Sequence, residues 1–110
     1  MENSSLKNVA TGSFNETKVD ENVYVLTYKN ETDNSQTIVR EIDSSFIQFH
    51  FCVKGDSKFK FNNGRYALDV SEEHSLLLYN PKRDLPINLE ANTNTWLISV
   101  LISIKKFHGL

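Results

Sequence analysis

Apolar side chains recur along this chain at every second position, in short runs separated by Gly, Pro, Asn and Asp. That period belongs to β-strands, whose side chains alternate between two faces. The run from Phe46 to Val53 is apolar at almost every step. Ile47, Phe49, Phe51 and Val53 share one face, and Phe46, Gln48, His50 and Cys52 share the other. A strand of this kind is usually covered on both faces. Lys54-Gly55-Asp56-Ser57 then supplies turn chemistry, and Lys58-Phe59-Lys60-Phe61 alternates strictly up to Asn63-Gly64. Asn-Gly suits a two-residue type I′ turn, which needs φ > 0 at both positions. A loop on Asn63-Gly64 sets a register. Asn62 faces Arg65, Phe61 faces Tyr66, Lys60 faces Ala67, Phe59 faces Leu68 and Lys58 faces Asp69. The aromatic and aliphatic pairs then share one face, and a slip of one residue would scatter them.

The remaining runs follow the same logic. Residues 23–28 and 36–42 read as strands, with Ile38 and Ile42 inside. Residues 75–79 form a short buried strand that Asn80-Pro81 ends. Leu85, Ile87 and Leu89 alternate with Pro86, Asn88 and Glu90, which suggests an edge strand because proline cannot donate to a ladder. The longest strand runs from Trp96 to Ile104. Trp96, Ile98, Val100, Ile102 and Ile104 make an unbroken apolar face, whereas Leu97, Ser99, Leu101, Ser103 and Lys105 are half polar. No helix is expected before Lys105. Residues 1–21 are polar and read as a flexible arm in which Phe14 could anchor. Residues 22–110 then form one all-β domain, a sandwich or small barrel.

A chain of 110 residues is one domain, and at this size about two-thirds of the unfolded surface is buried on folding. The net charge of −2, with no cluster of Lys and Arg, argues against nucleic-acid binding by this chain itself. Cys52 is the single cysteine. It reads as a small buried hydrophobe in a reducing, cytoplasmic setting. The polar start does not resemble a signal peptide and no segment is long enough to span a membrane, so the sequons at Asn15 and Asn30 are discounted.

Candidate chemistry is sparse. His50, His74 and His108 are scattered, with none two or four residues from another. His50 and Cys52 make at most half a metal site, and no metal or other cofactor is expected. Ser99 and Ser103 lack a neighbouring histidine in sequence and the strained elbow of an activated serine. No enzymatic activity is expected. The aromatic residues are core by default. If some of them line a ligand cavity, the uninterrupted apolar faces must supply it: Phe49 and Phe51, with Ile47 and Val53, from one strand, and Trp96, Ile98 and Val100 from the other. Such a pocket suits a flat or aliphatic ligand better than a sugar, whose hydroxyls would be left unpaired. Equally, the same side chains could simply fill a barrel.

The segments FIQFHFCVKG, KFKFNNGRYAL, SLLLYNP, LPINL and WLISVLISIKKFHGL, in this order and spacing, resemble the N-terminal sensor domain of AraC/XylS-family transcriptional regulators of the Bacteroidetes type. The similarity runs from about Phe46 to Leu110. It implies a cupin-like β-barrel (double-stranded β-helix, or jelly roll) that senses a small-molecule effector and forms a homodimer. DNA would be reached only through a C-terminal pair of helix-turn-helix motifs that this chain does not contain, and the stop at Leu110 is expected to be a cut within a longer protein. The His-x-His…Glu ligands of enzymatic cupins are missing, so the resemblance carries fold and not metal chemistry. The alternative is a stand-alone cupin-like small-molecule-binding protein or enzyme.

Overall fold

The computed structural model describes residues 14–61 and 64–108. Among them are nine strands and a short helix: β1 (Asn15–Asp20), β2 (Val23–Asn30), β3 (Gln36–Arg40), β4 (Phe46–Lys54), β5 (Asp56–Phe61), β6 (Tyr66–Ser71), β7 (Ser75–Leu78), β8 (Ile87–Ala91), β9 (Thr95–Ser103) and α1 (Ile104–His108). They form two antiparallel sheets. One has the order β1-β2-β9-β4-β7, and the other the order β3-β8-β5-β6.

Consecutive strands repeatedly change sheets, and Gly55 makes the sharpest of these crossings. It alone separates β4 from β5, with φ at +86°. A Cβ there would lie 2.6 Å from Thr95 Oγ1 and 2.8 Å from the Asn94 carbonyl oxygen. Only glycine allows this approach. Thr95 locks the crossing: its hydroxyl donates to the Asp56 carbonyl (2.8 Å) and accepts from the Asp56 N–H (3.2 Å).

The β5–β6 hairpin has the register expected from the sequence. Phe61 faces Tyr66, Lys60 faces Ala67, Phe59 faces Leu68 and Lys58 faces Asp69. The Asn62–Arg65 pair and the type I′ assignment involve Asn62 and Asn63, which lie outside the described residues. Gly64 has φ at +84°, and its N–H donates to the Phe61 carbonyl at 3.1 Å.

Three expectations are corrected. Residues 15–20, assigned above to a flexible arm, form β1 on the edge of the larger sheet, paired with β2. Phe14 is buried and meets Tyr28 edge-on at 6.2 Å, so it does anchor the segment. The strand containing Leu89 is not an edge: β8 lies between β3 and β5. Pro86 precedes its first residue, so the missing N–H falls outside the ladder.

The third correction concerns which faces point inward. On β4 Gln48, His50 and Cys52 are buried, while Phe49 and Phe51 on the opposite face are exposed and only Ile47 of that face is covered. On β9 the buried residues are Thr95, Leu97, Ser99, Leu101 and Ser103, and Trp96, Ile98, Val100 and Ile102 are only half-buried. The unbroken apolar faces of both strands are therefore the outer ones. The core lies between the sheets. Leu26, Tyr28, Cys52, Leu97 and Leu101 from the larger sheet meet Ile38, Phe59, Val70, Ile87 and Leu89 from the smaller. Among the described residues no helix is long and apolar enough to cross a membrane.

Candidate functional site

The five residues expected to line a cavity are brought together, but outside the sandwich. Ile98 pairs with Phe51 and Val100 with Phe49 across the β9–β4 ladder. Trp96, at the end of this row, lies between Lys29 and Lys54 in the ladders. The Lys29 ammonium sits 4.3 Å from its ring centroid, a cation–π contact. Trp96 also borders a shallow depression of about 170 Å³ with Lys29, Lys54 and Asn94. None of the five faces the interior.

The interior instead holds a polar chain. Gln48 and His50 from β4 and Ser99 from β9 are fully buried. The Gln48 Nε2 donates to the Leu85 carbonyl at 2.6 Å, so its Oε1 is the atom turned to His50 Nε2, 2.8 Å away. A carbonyl oxygen can only accept, which places the imidazole proton on Nε2. Nδ1 is then an acceptor, and the Ser99 hydroxyl donates to it at 2.6 Å. Every polar group of the chain is satisfied. The Phe59 ring packs at a tilt against the imidazole, with 4.5 Å between centroids. Burial with no carboxylate partner pushes the His50 pKa down to about 4, because desolvation disfavours the charged ring.

A serine 2.6 Å from a histidine looks like half of a nucleophilic dyad, and sequence spacing gave no sign of it because the two residues are 49 apart. The pair is nonetheless closed: both residues are sealed from solvent, and both imidazole nitrogens are occupied. Among the described residues no three His, Cys, Asp or Glu side chains gather as a metal-binding group. Cys52 is buried near His50, and its thiol donates to the Lys54 carbonyl at 3.3 Å. Burial pushes that thiol's pKa up, which makes it a poor nucleophile and a poor ligand. His74 stays at the surface, 3.2 Å from the Ser71 hydroxyl.

A cleft open to solvent lies at the end of the smaller sheet, where β5 stops and β8 begins. The cleft, of about 590 Å³, is lined by Phe61 and Tyr66, by Lys60 and Arg83, by Asn80 and Asn88, and by the loop segment Asp84-Leu85-Pro86. Hairpin pairing places Phe61 and Tyr66 side by side. Tyr66 is 66% exposed although it shares a face with Phe59, because β6 is an edge strand. The loop is held from within, since the Leu85 carbonyl accepts from Gln48. Asp84 is turned to the loop before β4, where it accepts from the Ser44 N–H at 2.8 Å. Lys60 pairs with Glu90 at 3.0 Å. The Arg83 guanidinium and the Asn88 amide have no side-chain partner among the described residues. The cleft thus offers an aromatic wall, a guanidinium and a side-chain amide. Its size is that of a small-molecule site.

No family profile matches the chain, and no curated protein does. Solved structures do match. A Klebsiella pneumoniae protein with a double-stranded β-helix domain superposes with a TM-score of 0.64, at 11% identity over 91% of this chain and 78% of its own. The fold is a cupin. An RmlC-like cupin from Desulfovibrio desulfuricans matches with a TM-score of 0.61, at 12% identity over 93% of this chain and 95% of that one. The cupin domain of Schizosaccharomyces pombe Cnp3 gives 0.61 at 8% identity over 87% of this chain. This chain spans 63% of that structure's length. At such identities the likeness carries the cupin architecture of two facing antiparallel sheets, and the sites must be read from this chain's own residues.

Proposed function

We propose that this chain is the effector-sensing module of a transcriptional regulator of the AraC/XylS type, without catalysis, and that its effector is a small organic anion with a flat or apolar body. The observation that carries the ligand class is the cleft at the end of the smaller sheet. Phe61 and Tyr66 would take the flat part of the ligand, and Arg83, whose planar fork suits carboxylate, would take the charge. Asn88 would add a donor or an acceptor. The resemblance of residues 46–110 to AraC-type sensor domains supports the regulatory half of the reading. The closed Ser99–His50–Gln48 chain supports the absence of catalysis.

Thermal-shift and calorimetric titrations with aromatic and aliphatic carboxylates, against neutral sugars of similar size, test the ligand class. The acids should bind, and Arg83→Ala should weaken them at least tenfold while leaving the melting temperature within a few degrees. Binding of the sugars alone, or acid binding indifferent to Arg83, would place the site elsewhere. A stand-alone binding protein would use the same cleft without a DNA-reading partner. The coding sequence following Leu110 separates the two: a pair of helix-turn-helix motifs is expected, and an immediate stop codon would leave the stand-alone protein.

A further inference from the structure

The cleft at the end of the smaller sheet is lined by two cations of different standing. Arg83 lies on the loop between β7 and β8, where its backbone N–H donates to the Asn80 carbonyl at 3.4 Å and closes a turn. Lys60 lies on β5, and its ammonium is held 3.0 Å from the Glu90 carboxylate. Glu90 does not line the cleft. It borders a separate hollow of about 470 Å³ on the outer face of the same sheet, with Asp56, Lys58, Asp69 and Ser71. The ion pair therefore joins two depressions: Lys60 belongs to the cleft, and Glu90 holds its ammonium from the hollow beyond. We infer that Lys60 is a second anion-binding group of the cleft. The ligand then has a flat body with two acidic groups, and its second acid replaces Glu90 on the Lys60 ammonium.

The exchange costs little, because the ion pair is weak and Glu90 has another cation at hand. The Lys60 and Glu90 side chains are 34% and 36% exposed, and ion pairs of that exposure are screened by water and salt. In the ladder Glu90 stands directly opposite Lys58, not Lys60. Release of Lys60 leaves Glu90 beside that lysine, which faces Asp69 on its other side, so the carboxylate is not stranded without a cation. Within the cleft the competition is also low. Asp84 is the acidic residue among those described in its wall, and it is turned away to accept from the Ser44 N–H at 2.8 Å. A ligand with one acid would satisfy Arg83 and leave Lys60 with Glu90. A ligand with two engages both cations while its flat body rests on Phe61 and Tyr66, which pair across the hairpin.

The second subsite rests on the reading of the cleft as an organic-anion site, and benzoate tells the two apart. Calorimetric titrations compare benzoate with phthalate, isophthalate and terephthalate, which share its ring and add a second carboxylate at different spacings. The unmodified chain should bind the best of these diacids at least about tenfold tighter than benzoate, the gain of one added charge-assisted contact. Lys60→Met should cut that ratio to roughly twofold, the statistical advantage of two equivalent carboxylates, and Lys60→Arg should restore it. Glu90→Gln removes the competing carboxylate and should raise the ratio by about two- to fivefold, the weight of an exposed ion pair. On the unmodified chain the diacid should lose affinity with added salt more steeply than benzoate, a measurement that decides the matter if a variant fails to fold. Benzoate binding that is lost in Arg83→Ala, with no preference for a diacid, with a preference that survives Lys60→Met, or with equal salt dependence, would overturn the second subsite and leave the reading of the cleft standing. No binding by benzoate or by any diacid would overturn both.

Discussion

Two buried polar residues carry more of this fold than any pattern of apolar positions suggests. His50 is neutral in the folded state, with its pKa near 4, against about 6.5 in an unfolded chain. The depressed value means that the unfolded state takes up the proton first as pH falls. The stabilising contribution is complete above about pH 6.5 and is lost progressively down to pH 4. Chemical denaturation at pH 7 and pH 4.5 should differ by about 2–3 kcal/mol from this group, at about 1.4 kcal/mol per unit. His50→Asn should flatten that part of the pH profile while costing stability at neutral pH.

Asn30 is the second such residue. Its amide nitrogen donates to the carbonyls of Asn34, Ala91 and Asn92, and its oxygen accepts from the Thr32 N–H and hydroxyl. Asn30→Asp would face a carboxylate oxygen toward three carbonyls, and should cost about 3 kcal/mol or more in urea unfolding. The same bonding leaves no free amide at the Asn30 sequon.

At the scale of elements, the glycines and the two faces of β9 make separable predictions. Gly55 and Gly64 have nearly equal positive φ, but an added Cβ meets Thr95 and the Asn94 backbone at Gly55 and nothing within 4 Å at Gly64. Gly64→Ala should therefore cost about 1–2 kcal/mol, the ordinary penalty of the left-handed region. Gly55→Ala should cost more than that, because the Asn94–Thr95 backbone has to move; paired denaturation curves measure the difference. On β9, Leu97→Ala removes a fully buried side chain from the core and should destabilise by about 2–5 kcal/mol. Trp96→Ala removes a half-buried ring from the outer end of the strand, and should fall clearly below the 3–5 kcal/mol of a buried tryptophan. Equal losses from the two substitutions would mean that the inward face has been misassigned.

For the whole molecule, what matters is how the two sheets close on each other. On one side the edge strands β1 and β3 are joined by a forked ion pair, in which Arg40 Nε donates to Glu16 Oε2 at 2.8 Å and Nη2 to Oε1 at 2.9 Å. The pair holds the Glu16 carboxyl below its usual pKa. Both side chains are over a third exposed, so Glu16→Gln should cost under about 1 kcal/mol, and less in high salt. On the other side, β6 and β7 are the free edges of the two sheets. Leu68, which shares a face with Phe59, is left 44% exposed there. The sandwich is sealed by charge on one side and open on the other.

The sequence alone determined the strands other than β1, because alternation and turn residues are local properties. The β5–β6 register came from the match of Phe61 with Tyr66 and of Phe59 with Leu68. The short strand with its stop at Asn80-Pro81, and the anchoring of Phe14, were also legible. That strand is not buried as expected: Leu77 is exposed and Leu76 and Leu78 are half-buried, because it is an edge strand. Tertiary structure alone decided which face of β4 and β9 turns inward. Apolarity favoured Phe49, Phe51, Ile98 and Val100, but Gln48, His50 and Ser99 satisfy one another and the Leu85 carbonyl, and a hydrogen-bonded polar group can be buried at little net cost. Those bonds join residues far apart in the chain, and no periodicity encodes them. The same holds for the cleft: Phe61, Arg83 and Asn88 belong to separate stretches, and they become one site only because β8 enters the smaller sheet beside β5.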